Sequence, residues 1–124
     1  MIRLPISWVQ FLAELGLIRR PDFLSIDVDE APDNVASGFV YREVRGGYEK
    51  WLHLKCPRCS ELIQVQLAGP EHWSVSVDWM NRPTVRPSIW QNGSCQAHFF
   101  IRKGAIDWCP DILSPRRGFS GRYA

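Results

Sequence analysis

FVYREVRGGYEKWLHLKCPRC, residues 39–59, decides the fold. FVYREV is rich in β-branched and aromatic residues. RGG follows, supplying two residues free to take positive φ. YEKWLHLK is again strand-like. Two such runs around a short glycine turn predict a β-hairpin. The second strand then delivers the chain into Cys56-Pro57-Arg58-Cys59, a turn that brings two thiols together.

Working outward, the strand signal continues. ELIQVQL places Leu62, Ile63, Val65 and Leu67 among polar residues, and WSVSVDW puts Trp73, Val75, Val77 and Trp79 on one face. HFFIRKGAIDW predicts a last hairpin turning at Lys103-Gly104. In NRPTVRPSIW, Pro83 and Pro87 lack a backbone donor, which argues for an edge or an irregular crossing rather than a central strand.

Before the hairpin, Trp8, Phe11, Leu12 and Leu15 follow i, i+3, i+4, i+7 spacing. Ser7 as N-cap with Gln10 three residues on, and Gly16 as stop, predict a helix over about 7–17 that lies on the sheet or offers a docking surface. Residues 27–38, DVDEAPDNVASG, read as an acidic loop. From Pro110 the sequence PDILSPRRGFSGRYA predicts an irregular basic tail. The expected organisation is 1–38 as helix and acidic linker packed on the core, 39–110 as the β domain, and 111–124 as tail. The expected fold class is mainly β: a small zinc-stabilised antiparallel sheet of zinc-ribbon-like hairpins with one short N-terminal helix.

The chain has 124 residues, the size of one domain, and six tryptophans, which add buried area to a small core. It begins without a secretory pattern and has no apolar run of membrane-spanning length. A cytoplasmic setting is expected, where paired cysteines hold metal or do redox chemistry more often than they form structural disulfides. Net charge is +2, with about −3 over residues 1–38 and +5 beyond. That excess points only weakly to an acidic partner.

Cys56 and Cys59 acquire counterparts in SCQAHFF, where Cys95 and His98 repeat the two-residue spacing. Three thiolates and a neutral imidazole form a donor set that tetrahedral zinc prefers, so Cys56, Cys59, Cys95 and His98 are the expected Zn2+ ligands. Strand residues follow the Cys-x-x-Cys, whereas a redox pair opens a helix. Cys109 is a spare thiol, expected as a small buried hydrophobe or as a substitute ligand. His53, three residues before Cys56, is expected on the opposite strand face or as an acid/base group near the metal. His72, beside Glu71, and Glu61 form no metalloprotease signature. Four protein ligands leave no position for a reactive water, which leans the reading away from an enzyme.

The run from Trp51 to Cys109 resembles a small bacterial family of uncharacterised function. The shared marks are His53-Leu54 ahead of Cys56 and Cys59, then Trp73, then Thr84-Val85-Arg86-Pro87-Ser88-Ile89. Last comes Cys95-Gln96-Ala97-His98-Phe99-Phe100-Ile101, closing at Trp108. Relatives carry a glycine-containing cysteine run where this chain has Cys-Pro-Arg-Cys-Ser. Genes of that family often neighbour an activating enzyme, a conjugating enzyme and a multi-ubiquitin-like protein. The resemblance implies a zinc-binding accessory of a bacterial ubiquitin-like conjugation system.

Three functions follow. The first is a zinc-braced binding module for protein partners, such as a ubiquitin-like modifier or its conjugating enzymes, with Arg82, Arg86 and Trp90 as contacts. The second is a zinc ribbon for single-stranded nucleic acid, from the basic and aromatic residues of HFFIRK and RRGFSGRY. The third is a zinc-dependent peptidase that trims a ubiquitin-like precursor.

Overall fold

The computed structural model describes residues 3–91 and 95–109. The chain order is α1 (Ile6–Glu14), β1 (Leu24–Val28), β2 (Phe39–Arg45), β3 (Tyr48–Lys55), β4 (Leu62–Gln66), β5 (Ser74–Val77), β6 (Pro83–Trp90), β7 (His98–Arg102) and β8 (Ala105–Trp108). The protein is mainly β. Its strands form two four-stranded sheets, β1-β2-β3-β4 and β5-β6-β7-β8, rather than one.

Both hairpins lie where the sequence puts them. The β2–β3 turn uses Gly46 and Gly47 at φ 61° and 83°, and the β7–β8 turn uses Lys103 and Gly104 at φ 48° and 78°. Gly104 is required for a second reason. A Cβ there would stand 2.8 Å from the Phe23 carbonyl oxygen. Close approach is what lets the backbone N–H groups of Asp22 and Phe23 donate to the Gly104 carbonyl at 2.8 and 2.9 Å. That contact pins the segment ahead of β1 to the far sheet.

Two readings change. Residues 24–28 are a strand pairing parallel to β2, so the acidic stretch begins as sheet and not as linker. Its polar residues hid the strand: Asp27 faces Arg42 and ion-pairs with it at 2.8 Å. β6, despite its two prolines, is central, with β5 on one side and β7 on the other. Pro83 tolerates this because it is the first residue of the strand. Pro87 tolerates it because the register slips between Val85 and Ile89, leaving a bulge in which no ladder donor is needed.

The alternating residues of both sheets share one core. Leu52, Leu54 and Val65 from the first meet Val85, Ile89, Phe99 and Ile101 from the second. Each side chain of this size contributes about 1.5–3 kcal/mol by leaving water. The helix starts one residue early, after Pro5, with no side-chain cap. Only Val9 is fully buried, against Leu24 and Met80. Trp8, Phe11 and Leu15 remain half exposed, so the periodic face the sequence suggests is largely solvent-facing. No described helix is long and apolar enough to cross a membrane. The basic tail, from residue 110 on, lies outside the described residues.

Candidate active site

At the end of β3 the chain turns tightly through Cys56–Cys59. The Cys56 N–H donates to the Glu61 carbonyl at 2.8 Å, and the Ser60 N–H to the Cys56 carbonyl at 2.9 Å. The Arg58 N–H points at the Cys56 sulfur, 3.4 Å away. Ser60 closes the turn at φ 67°, a conformation that favours glycine. Cys95 meets this turn from the β6–β7 connection, its sulfur 3.5 Å from that of Cys56. The sulfurs of Cys56, Cys59 and Cys95 all lie within 4.8 Å of one another.

Three thiols this close could hold a metal ion. Without a cation they oppose ionisation: desolvation first, then the Cys59 and Cys56 thiols, push the Cys95 thiol up to about 11. A divalent ion would reverse that balance and ionise them. The donor set is therefore chemically suited to a soft metal ion.

His98 is not part of this group. As the first residue of β7 it projects from the outer face of the second sheet, whereas Cys95 precedes the strand. Its Nε2 instead lies 2.8 Å from the hydroxyl of Ser88. The equal spacing of the two pairs in sequence concealed this difference in direction.

The Ser88–His98 pair is built by β6 and β7. Ile89 pairs with Phe99 and Trp90 with His98, so Ile89 and Phe99 fill the core while Ser88, itself buried at 5% exposure, shares the opposite face with half-buried His98 and exposed Trp90. The bulge just before Ile89 frees Ser88 from a regular ladder position. Trp73 fixes the serine's backbone, its indole N–H donating to the Ser88 carbonyl at 3.1 Å. Trp90 lies over His98 at 5.9 Å between ring centroids, and the His98 carbonyl accepts from the Cys109 N–H at 2.9 Å. Burial pulls the pKa of His98 below the usual histidine range, since the imidazolium is the form that loses hydration. A neutral imidazole against a hydroxyl is the arrangement that activates a serine for attack.

The cysteine turn and the serine–histidine pair are joined mechanically. Cys95 sits in the connection closed by the Gln91 N–H donating to Ala97 at 2.7 Å. Arg58, inside the cysteine turn, stacks over Trp108 of β8 at 4.7 Å.

Of the expected contact residues, Arg86 and Trp90 bracket Ser88 and are exposed. Arg82 lies elsewhere, donating to Asp78 at 2.7 Å, and so belongs to a structural ion pair. Cys109, just past the edge strand β8, stands beside His98 and outside the three-sulfur group. His53 is buried on the outer face of the first sheet, bonded to Glu43 at 2.9 Å and Gln64 at 3.0 Å. His72 bonds the Gly69 carbonyl at 2.8 Å. Glu61 accepts from Gln91 at 3.5 Å. In the nucleic-acid reading, Arg102 of HFFIRK is held by Asp107 at 2.9 Å rather than standing free.

Ser88 was the residue sequence reasoning passed over. It sits in the Pro-Ser-Ile block, but only the β6–β7 register shows that it faces His98.

A family model described as "Bacterial ubiquitination-like system serine protease (BubE)" matches residues 27–109. No curated protein and no solved structure matches the chain.

Proposed function

We propose that this chain, which belongs to the BubE family of bacterial ubiquitination-like systems, is a serine peptidase acting on a protein partner of such a system. The observation that carries this reading is the 2.8 Å contact between the Ser88 hydroxyl and His98 Nε2. Ser88 Oγ attacks a peptide or isopeptide carbonyl while its proton passes to His98. His98 then gives that proton to the departing amine, and water hydrolyses the acyl-serine with His98 again as base. His98 enters this cycle neutral, because its burial disfavours the imidazolium.

The leaning away from catalysis came from a closed zinc site with no room for water. A serine nucleophile removes that objection, since it needs no metal-bound water. In this reading zinc is structural, held by Cys56, Cys59 and Cys95. It braces the β6–β7 connection against the end of β3 and so holds His98 in place. The trimming of a ubiquitin-like precursor remains as a function, with its chemistry moved from metal to serine. Arg86 and Trp90 serve as substrate contacts beside the nucleophile.

The test is covalent labelling of the full chain by a fluorophosphonate, together with cleavage of a ubiquitin-like precursor from a bacterial ubiquitination-like system. Labelling should map to Ser88, and Ser88→Ala should lose both labelling and cleavage. Undiminished cleavage by Ser88→Ala sinks the reading.

A further inference from the structure

Around Arg86 and Pro87, immediately ahead of Ser88 in the chain, the outer face of the second sheet opens into a cleft of about 440 Å³. Arg86 and Pro87 form one wall and directly precede Ser88, while Phe100 and Arg102 come from β7. No carboxylate lines it among the described residues. Its two guanidinium groups differ in availability. Arg102 donates to Asp107 at 2.9 Å and lies over the Phe100 ring at 4.3 Å. Arg86 is exposed and forms no ion pair among the described residues. The bulge between Val85 and Ile89 carries Arg86 and Ser88 together, two residues apart on one irregular stretch. A side chain flanking a bond held at Ser88 therefore meets a cationic cleft with an uncommitted arginine. A planar guanidinium binds a carboxylate through two parallel hydrogen bonds, which a neutral amide of equal size cannot match.

We propose that this cleft is a subsite for an acidic side chain, in which Arg86 ion-pairs with an Asp or Glu next to the scissile bond of the substrate. The inference rests on Ser88 being the nucleophile.

The test incubates the full chain with a fluorophosphonate and, separately, with a peptide library from a digested proteome, cleavage sites being read by mass spectrometry. Expected results are labelling of Ser88 and enrichment of Asp and Glu over Asn and Gln, by about tenfold, at one fixed position from the cut. Arg86→Gln should erase the enrichment, Arg86→Lys should retain part of it, and Arg86→Glu should turn it toward Lys and Arg. Circular dichroism of each variant reports its folding. A labelled protein that cleaves without acidic preference, or cleaves no library peptide, overturns the subsite and leaves the nucleophile standing. A folded Arg86→Gln that keeps the preference overturns it equally. Absence of labelling overturns both.

Discussion

The two sheets each carry a histidine on the outer face, and the two histidines meet different partners. On the first sheet, both ring nitrogens of His53 are engaged, one by the Glu43 carboxylate and one by the Gln64 amide. The ring is 2% exposed. Arg45 also bonds Glu43 from outside. On the second sheet, His98 faces a serine hydroxyl and is only partly buried. A histidine held between a carboxylate and an amide orders a sheet. One whose Nε2 meets a serine hydroxyl is placed to exchange a proton with it. Neither the residue type nor the strand position separates the two cases; the partners do.

The largest expected effect concerns the cysteine cluster, if it holds structural zinc as proposed. Structural zinc contributes apparent binding energies of about 10–16 kcal/mol, against a typical net stability of about 5–15 kcal/mol. Chelation, or Cys59→Ala, should therefore unfold the domain, read as loss of the cooperative thermal transition. X-ray absorption of the loaded protein should record three sulfur ligands. A chelated protein that still melts cooperatively at the original temperature would show that the sheets stand without the cysteine cluster.

Next comes the chemistry itself. Ser88→Ala or His98→Ala should lower precursor cleavage by about 10⁴-fold or more, and the double variant should be no worse than either alone, because the pair acts as a unit. Thermal melting should hardly move for Ser88→Ala. Equal loss of cleavage in a folded His53 variant would erase the contrast between the two histidines.

His53 should fail the other way. His53→Leu removes one of the two hydrogen bonds that hold the buried Glu43 carboxylate and leaves that of Arg45. Breaking a buried pair on one side costs about 3 kcal/mol. Urea denaturation should register that loss, while Ser88 labelling of the folded fraction continues.

How much of this was legible in advance follows from what sequence encodes locally. The hairpins were readable because alternation and Gly46-Gly47 or Lys103-Gly104 turns are short-range signals. The cysteine turn was readable for the same reason. β1 was not, because its pairing with β2 is parallel and non-local, and Asp27 finds its partner fifteen residues away. β6 was misplaced because proline argues against a central strand unless a bulge absorbs it, and a bulge is a property of two strands. Spacing alone points His98 at the metal, whereas its direction from β7 turns it toward Ser88.

The smallest effects are in pH dependence, where the two faces should separate by window. Burial lowers the pKa of His98 below its ordinary 6.5. As pH falls below 6.5, the unfolded chain gains a proton that the folded chain does not, so stability declines from there until the folded value is passed. The acid limb of kcat/KM should likewise lie below 6.5, since the base must be neutral. Glu43 is also lowered, chiefly by its hydrogen bond from His53, from an ordinary 4.5. Its contribution is intact above 4.5 and is lost as pH falls through the folded value. His98→Gln should thus flatten the stability curve just below 6.5 and leave the decline below 4.5. Glu43→Gln should do the reverse, at the cost of some stability at neutral pH. Denaturation midpoints measured from pH 7.5 to 3.5 give both curves, and a single window shared by the two variants would mean that the faces titrate as one network.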